Sequence, residues 1–271
     1  MILARLFPKK SKIFEQNKQF FTKLGITMDS GGWIQLFTVW TLVVAGIVIS
    51  KGSIDRYMYW EWAGWGRGFL KLGFVTVLYL FLIKPKNLWY LGEKELDGNG
   101  FTIHSIIASV LLIIGWLNLE SSLLSLFIVV PYFIAFLSGA LVFQFTLELD
   151  QEKGVWNHFN WTNKIETFSG SVLLMLIALL FGIYLDDPIL SSAAAVSIPF
   201  PLIVLIWPNH VRHLQRARIF PIFTFAMALC VRTPWFLIPL GVMFFIIRTI
   251  NYFRYGIVYP SFAVDFLEEE E

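Results

Sequence analysis

Eight uncharged, aromatic-rich apolar runs fill most of the chain, and nearly every charged residue sits in the connections between them. A chain so divided cannot bury all its apolar segments in one soluble core. Its composition agrees: 57% of residues are hydrophobic and 15% charged, against roughly 45–50% and a quarter in soluble domains. No polar stretch is long enough to build a separate soluble domain. The expected fold is therefore all-α, a polytopic transmembrane helical bundle of about eight segments, with seven as the alternative. Residues 1–32 form a basic cytoplasmic segment, 33–254 the bundle and 255–271 an acidic tail.

The runs are 33–50, 68–83, 101–119, 121–147, 167–185, 189–207, 219–231 and 233–247. Crossing a hydrocarbon core of about 30 Å takes roughly 20 helical residues. The last two runs are short by that measure, and Arg232-Thr-Pro234 separates them. They read as two crossings, one kinked helix or a re-entrant hairpin. Only Glu120 divides the third run from the fourth, which predicts a tight helical hairpin there.

Basic residues in alternate connections set the orientation. With eight crossings, 16 of the 21 Lys and Arg fall on the side of the N-terminal segment. Lys51, Arg56, Arg67, Lys71 and Arg232 fall on the other. Both termini are thus expected in the cytoplasm of a protein of the plasma (inner) membrane. Residues 10–24 can form a helix lying on the membrane surface once Pro8 has broken the chain.

The runs are almost free of ionisable groups. His104 lies near the start of the third, with Gln35, Asn118 and Gln144 as neutral polar groups. Ion- and proton-coupled carriers place charged groups in their spans, so this cleanness counts against that class. Ala135 with Gly139, and Ser191 with Ala195, offer small-residue faces for packing within the bundle. Cys230 has no partner for an internal disulfide. No phosphate-binding loop, HExxH or CxxC occurs, and nothing suggests a nucleic-acid partner.

Polar chemistry concentrates in two cytoplasmic connections. His210, Arg212, His213, Arg216 and Arg218 form a basic cluster. Guanidinium forks match phosphate oxygens, so it can bind an anion or a lipid headgroup; as plain topology anchors the same residues need no ligand. Glu148, Asp150 and Glu152 can hold a divalent cation through oxygen ligands, or form an acidic solvated loop. On the other side, Tyr57, Trp60, Trp62 and Trp65 suit the headgroup level, or cover a hydrophobic ligand. His104 can serve as an axial ligand to a haem or chlorophyll, or as a satisfied interfacial histidine. Cofactors stay unknown at this point.

Eight or nine helices with polar inside loops resemble the UbiA-type intramembrane prenyltransferases. That resemblance implies a prenyl diphosphate substrate and magnesium held by aspartate-rich loops after the second and sixth helices. Here the first such loop has only Glu93, Glu95 and Asp97, outside the family's spacing, and the second has no carboxylate. The resemblance covers architecture alone, and architecture does not fix function. The leading expectation is an accessory membrane subunit packing against lipids, partner subunits or hydrophobic cofactors. An enzyme acting on prenyl or phospholipid substrates comes second and a transporter or flippase third.

Overall fold

A computed structural model describes residues 2–52, 59–118, 123–145, 147–150, 155–158, 163–207 and 211–256. Except for one two-stranded hairpin, the elements are helical: α1 (Ile2–Leu6), α2 (Lys12–Gly31), α3 (Trp33–Gly52), α4 (Trp65–Leu78), α5 (Gly98–Trp116), α6 (Val129–Leu141), the strands β1 (Leu147–Asp150) and β2 (Val155–His158), then α7 (Lys164–Tyr184), α8 (Pro188–Ser197), α9 (Pro199–Ile206), α10 (Val211–Leu229) and α11 (Leu237–Tyr255). A π turn over Tyr79–Ile83 extends α4. Turns of 3-10 helix precede α6 and α11. The strands pair antiparallel, Glu148 opposite Asn157 and Asp150 opposite Val155.

Among the described residues, six helical segments are long and apolar enough to cross a bilayer: Trp33–Lys51, Trp65–Ile83, Gly98–Trp116, Lys164–Tyr184, Pro188–Ile206 and Pro234–Tyr255. The protein is a membrane-embedded helical bundle. Leu126–Leu141 is a shorter apolar helix, and α10 carries arginines in its first turns. Hydrogen bonds and an ion pair place alternate helix ends together. Near α2, the Tyr79 hydroxyl donates to Gly32 O (3.0 Å) and Arg254 pairs with Asp29 (2.6 Å). At the opposite end, Trp60 N donates to Val231 O (2.8 Å) and Lys51 Nζ to Ala63 O (3.0 Å).

Local chemistry explains the helix boundaries. Ser11 caps α2 by accepting Phe14 N, and Gly32 closes it in the left-handed region (φ 68°), where a side chain would be strained. Asp97 caps α5 through Gly100 N, and Asp187 with Pro188 starts α8, the arrangement preferred at helix N-termini.

The last two runs are where the structure extends the reading most. They expected segments of 13 and 15 residues; each helix has 19, about 28 Å. The seventh begins at Val211, so Arg212, Arg216 and Arg218 lie in its first turns rather than in a loop. A hydropathy run stops at the first charge. The helix does not, because long basic side chains bury their stems and find partners for their heads.

The tightest helix contact pairs α3 with α5. A Cβ on Gly46 would fall on the Leu112 carbonyl, and one on Gly115 on the Val43 carbonyl. Without cohesion from a hydrophobic effect in lipid, such close approach supplies the packing. The expected small-residue pair behaves differently: Ala135 is buried, but a Cβ on Gly139 would meet nothing within 4 Å. Helices α6 and α7 are joined by Ser138 Oγ donating to Ser171 O (2.7 Å) and Ser171 Oγ donating to Ser138 O (3.0 Å). One large apolar core results. A second, small one joins α2 to α11 through Phe14, Tyr252 and Phe253. Outside, Leu70, Phe74, Val77 and Phe81 leave a continuous exposed stripe on α4 and its π extension, suited to lipid contact.

Candidate functional site: an apolar slot in the bundle

The open space beside Gly139 belongs to a slot between α3, α5, α6, α7 and α10, with a cavity volume of about 70 Å³. Along α6 its lining runs from Tyr132 to Phe143, about 16 Å. Phe136, Gly139, Ile222 and Phe225 line it and are only partly buried, so they mark the open side.

Its lining has few polar groups, and those are engaged elsewhere. Thr38 and Thr41 hydroxyls donate to the carbonyls of Ile34 (3.1 Å) and Phe37 (2.8 Å). At the end remote from α2, the Tyr132 hydroxyl donates to Asp187 Oδ2 (2.8 Å). Asp187 Oδ1 accepts from Ile189 N (3.0 Å) and Leu190 N (3.3 Å). The carboxylate is thus buried yet fully engaged, as burial of a charge requires.

At the α2 end, Leu91 and Phe143 close the lining. Behind them, His104 is wholly buried. Its Nε2 accepts from Tyr90 N (2.9 Å) and its Nδ1 sits 2.7 Å from Gly100 O. This assigns the neutral tautomer with the proton on Nδ1, and leaves neither nitrogen open to a metal. Trp89 packs beside His104 (4.9 Å between centroids) and stacks on Phe136 (5.9 Å). Burial raises the Tyr90 phenol above its ordinary pKa, and the Asp97 charge adds to it.

The basic cluster does not converge. His210 lies outside the described residues. Arg212 stands in the first turn of α10, His213 lies near Trp207 (6.3 Å between centroids), and Arg216 is exposed. Arg218, two positions on and so on another face of the helix, is largely buried. Its Nε donates to Val142 O (3.1 Å) and its Nη2 to Phe145 O, while the guanidinium lies over the rings of Phe145 (4.0 Å) and Phe143 (5.2 Å). A cation here satisfies carbonyls just past the end of α6 and gains from both rings.

The other expected groups are also dispersed. Glu148 and Asp150 lie in β1, and Glu152 is outside the described residues. Among the described residues, no group of three His, Cys, Asp or Glu can hold a metal ion. Tyr57 is outside them too. Trp60, Trp62 and Trp65 are exposed at the end opposite His104, so these rings and that imidazole do not share a site.

Reasoning from sequence missed the slot itself. One signal was present: Gln215, Arg218, Ile222, Phe225 and Leu229 recur at spacings of three and four, which places them on one face of α10. The last three line the slot. Comparison with known protein families, curated proteins and solved structures finds no match to this chain.

Proposed function

We propose that the protein is an accessory component of the plasma (inner) membrane whose bundle holds one apolar chain in the slot. Its exposed faces pack against lipids and partner subunits. The observation that carries this is the lining: an apolar channel open on one side, whose threonine and tyrosine hydroxyls are already engaged. A polar substrate would find few groups to bond there; a hydrocarbon chain of about a dozen carbons fits its length of about 16 Å. The bundle crosses the bilayer eight times with both termini cytoplasmic. Supporting this, the eight helical segments alternate in direction, and the larger basic share belongs with the α2 side.

Thermal unfolding of the purified chain in a short-chain detergent, with added aliphatic alcohols of increasing length, tests the reading. Stability should rise with chain length and level off near a dozen carbons, and Gly139→Leu should flatten the series. A series independent of length, or unaffected by that variant, defeats it. For orientation, a cysteine at Lys10 should resist a membrane-impermeant thiol reagent in intact cells and one at Trp62 should react. The native Cys230 is buried and stays silent; the reverse labelling overturns the topology.

A further inference from the structure

The α10 face that lines the slot continues beyond it toward the α2 end. Arg218 stands one turn from Ile222, and Gln215 a further turn back, so their Cβ atoms are neighbours at roughly 5–6 Å. Phe143 belongs to both places: it lines the slot and lies beneath the Arg218 guanidinium. Gln215 is 7% exposed, and its Oε1 has no hydrogen-bond partner among the described residues. Buried polar atoms are nearly always paired, so an unpaired acceptor next to a buried cation is a feature to explain. Arg218 commits two of its five N–H donors to the carbonyls of Val142 and Phe145. The remainder of its fork and the Gln215 carbonyl together ask for a group that both accepts and donates.

Resting on the slot as the seat of an apolar chain, we infer that its occupant is a single-chain amphiphile with a hydroxyl-bearing phosphate head, seated with the head at Arg218 and Gln215. The phosphate oxygens accept from the guanidinium, whose planar fork suits them. A head hydroxyl donates to Gln215 Oε1. The tail runs past Phe143, Ile222 and Phe225 toward Tyr132. A head without a hydroxyl leaves the glutamine unpaired, and a head without a phosphate leaves Arg218 with only its carbonyls. A lysophosphatidylglycerol has both groups; an alkylphosphocholine of equal chain length keeps the phosphate but has no hydroxyl.

Binding of these two lipids to the full chain in detergent, by native mass spectrometry or tryptophan fluorescence, tests the inference, with glycerol phosphate as the tail-less probe. The wild-type protein should prefer lysophosphatidylglycerol, and Gln215→Leu should weaken that lipid about tenfold while leaving the alkylphosphocholine unchanged. That variant replaces an unpaired polar group with an apolar one, so the fold should survive it. Equal binding of the two lipids, both lost in Gly139→Leu, overturns the headgroup assignment and leaves the slot reading standing. Lipid binding indifferent to Gly139→Leu overturns both. Glycerol phosphate binding as tightly as the whole lipid makes this a free phosphate-ester site and also overturns the inference.

Discussion

The slot has a charged group buried toward each end, and the two are handled in opposite ways. Asp187 is closed off: one tyrosine hydroxyl and two helix-terminal N–H groups satisfy it. Arg218 is only part engaged, over two rings and two carbonyls, with an unpaired amide oxygen one turn away on its helix. A charge with its full set of partners is part of the scaffold. One beside an unanswered acceptor is where a ligand can add contacts the fold has not supplied. On the proposed reading, the end near Asp187 is the closed floor and the end near Arg218 the seat of recognition.

Removing the floor should have the largest effect. Asp187→Ala deletes the α8 cap and strands the Tyr132 hydroxyl, and should destabilise by about 2–3 kcal/mol, measured by unfolding in mixed micelles. A loss as small as that of an exposed residue would break the contrast between the ends. Arg218→Met comes next, at about 2 kcal/mol, because it keeps the packing stem but leaves the Val142 and Phe145 carbonyls without their donor. Tyr132→Phe should be milder, about 1 kcal/mol, since hydrogen bonds within lipid-embedded bundles are modest in net value. Gln215→Leu should be the smallest and opposite in sign, neutral or stabilising by up to about 1 kcal/mol, as an unsatisfied group is removed. Marked destabilisation by Gln215→Leu would show that this end is closed as well.

Much of the architecture was legible from the alternation of apolar runs and charged connections. Crossing a bilayer demands a minimum helix length, and six helical segments meet it. The ends of the last two helices were not legible. Hydropathy treats Arg218 and Arg248 as boundaries, whereas the chain carries both inside helices. The basic cluster shows a related limit. Sequence proximity put Arg216 and Arg218 together, but a turn of about 100° per residue sends one to the surface and the other over the ring of Phe143. The slot was beyond sequence reading, since it arises where five helices meet and Gly139 opposes nothing. Conversely, Gly46 and Gly115 make the closest helix contact although nothing in their spacing sets them apart from other glycines.

The union of α2 with α11 has a consequence for biogenesis. The Tyr252 hydroxyl bonds Phe7 O, Phe253 stacks on Phe14 (5.4 Å) and Phe21 (4.4 Å), and Arg254 reaches Asp29. Helix α2 therefore gets its main helical partner only after more than two hundred further residues have been translated, a wait of roughly 10–50 s at ordinary rates of synthesis. Throughout that interval the apolar face that carries Phe14 and Phe21 lacks the rings it finally packs against. Helix α2, made before every span of the bundle, is thus among the last to be seated, and its docking marks the closure of the fold.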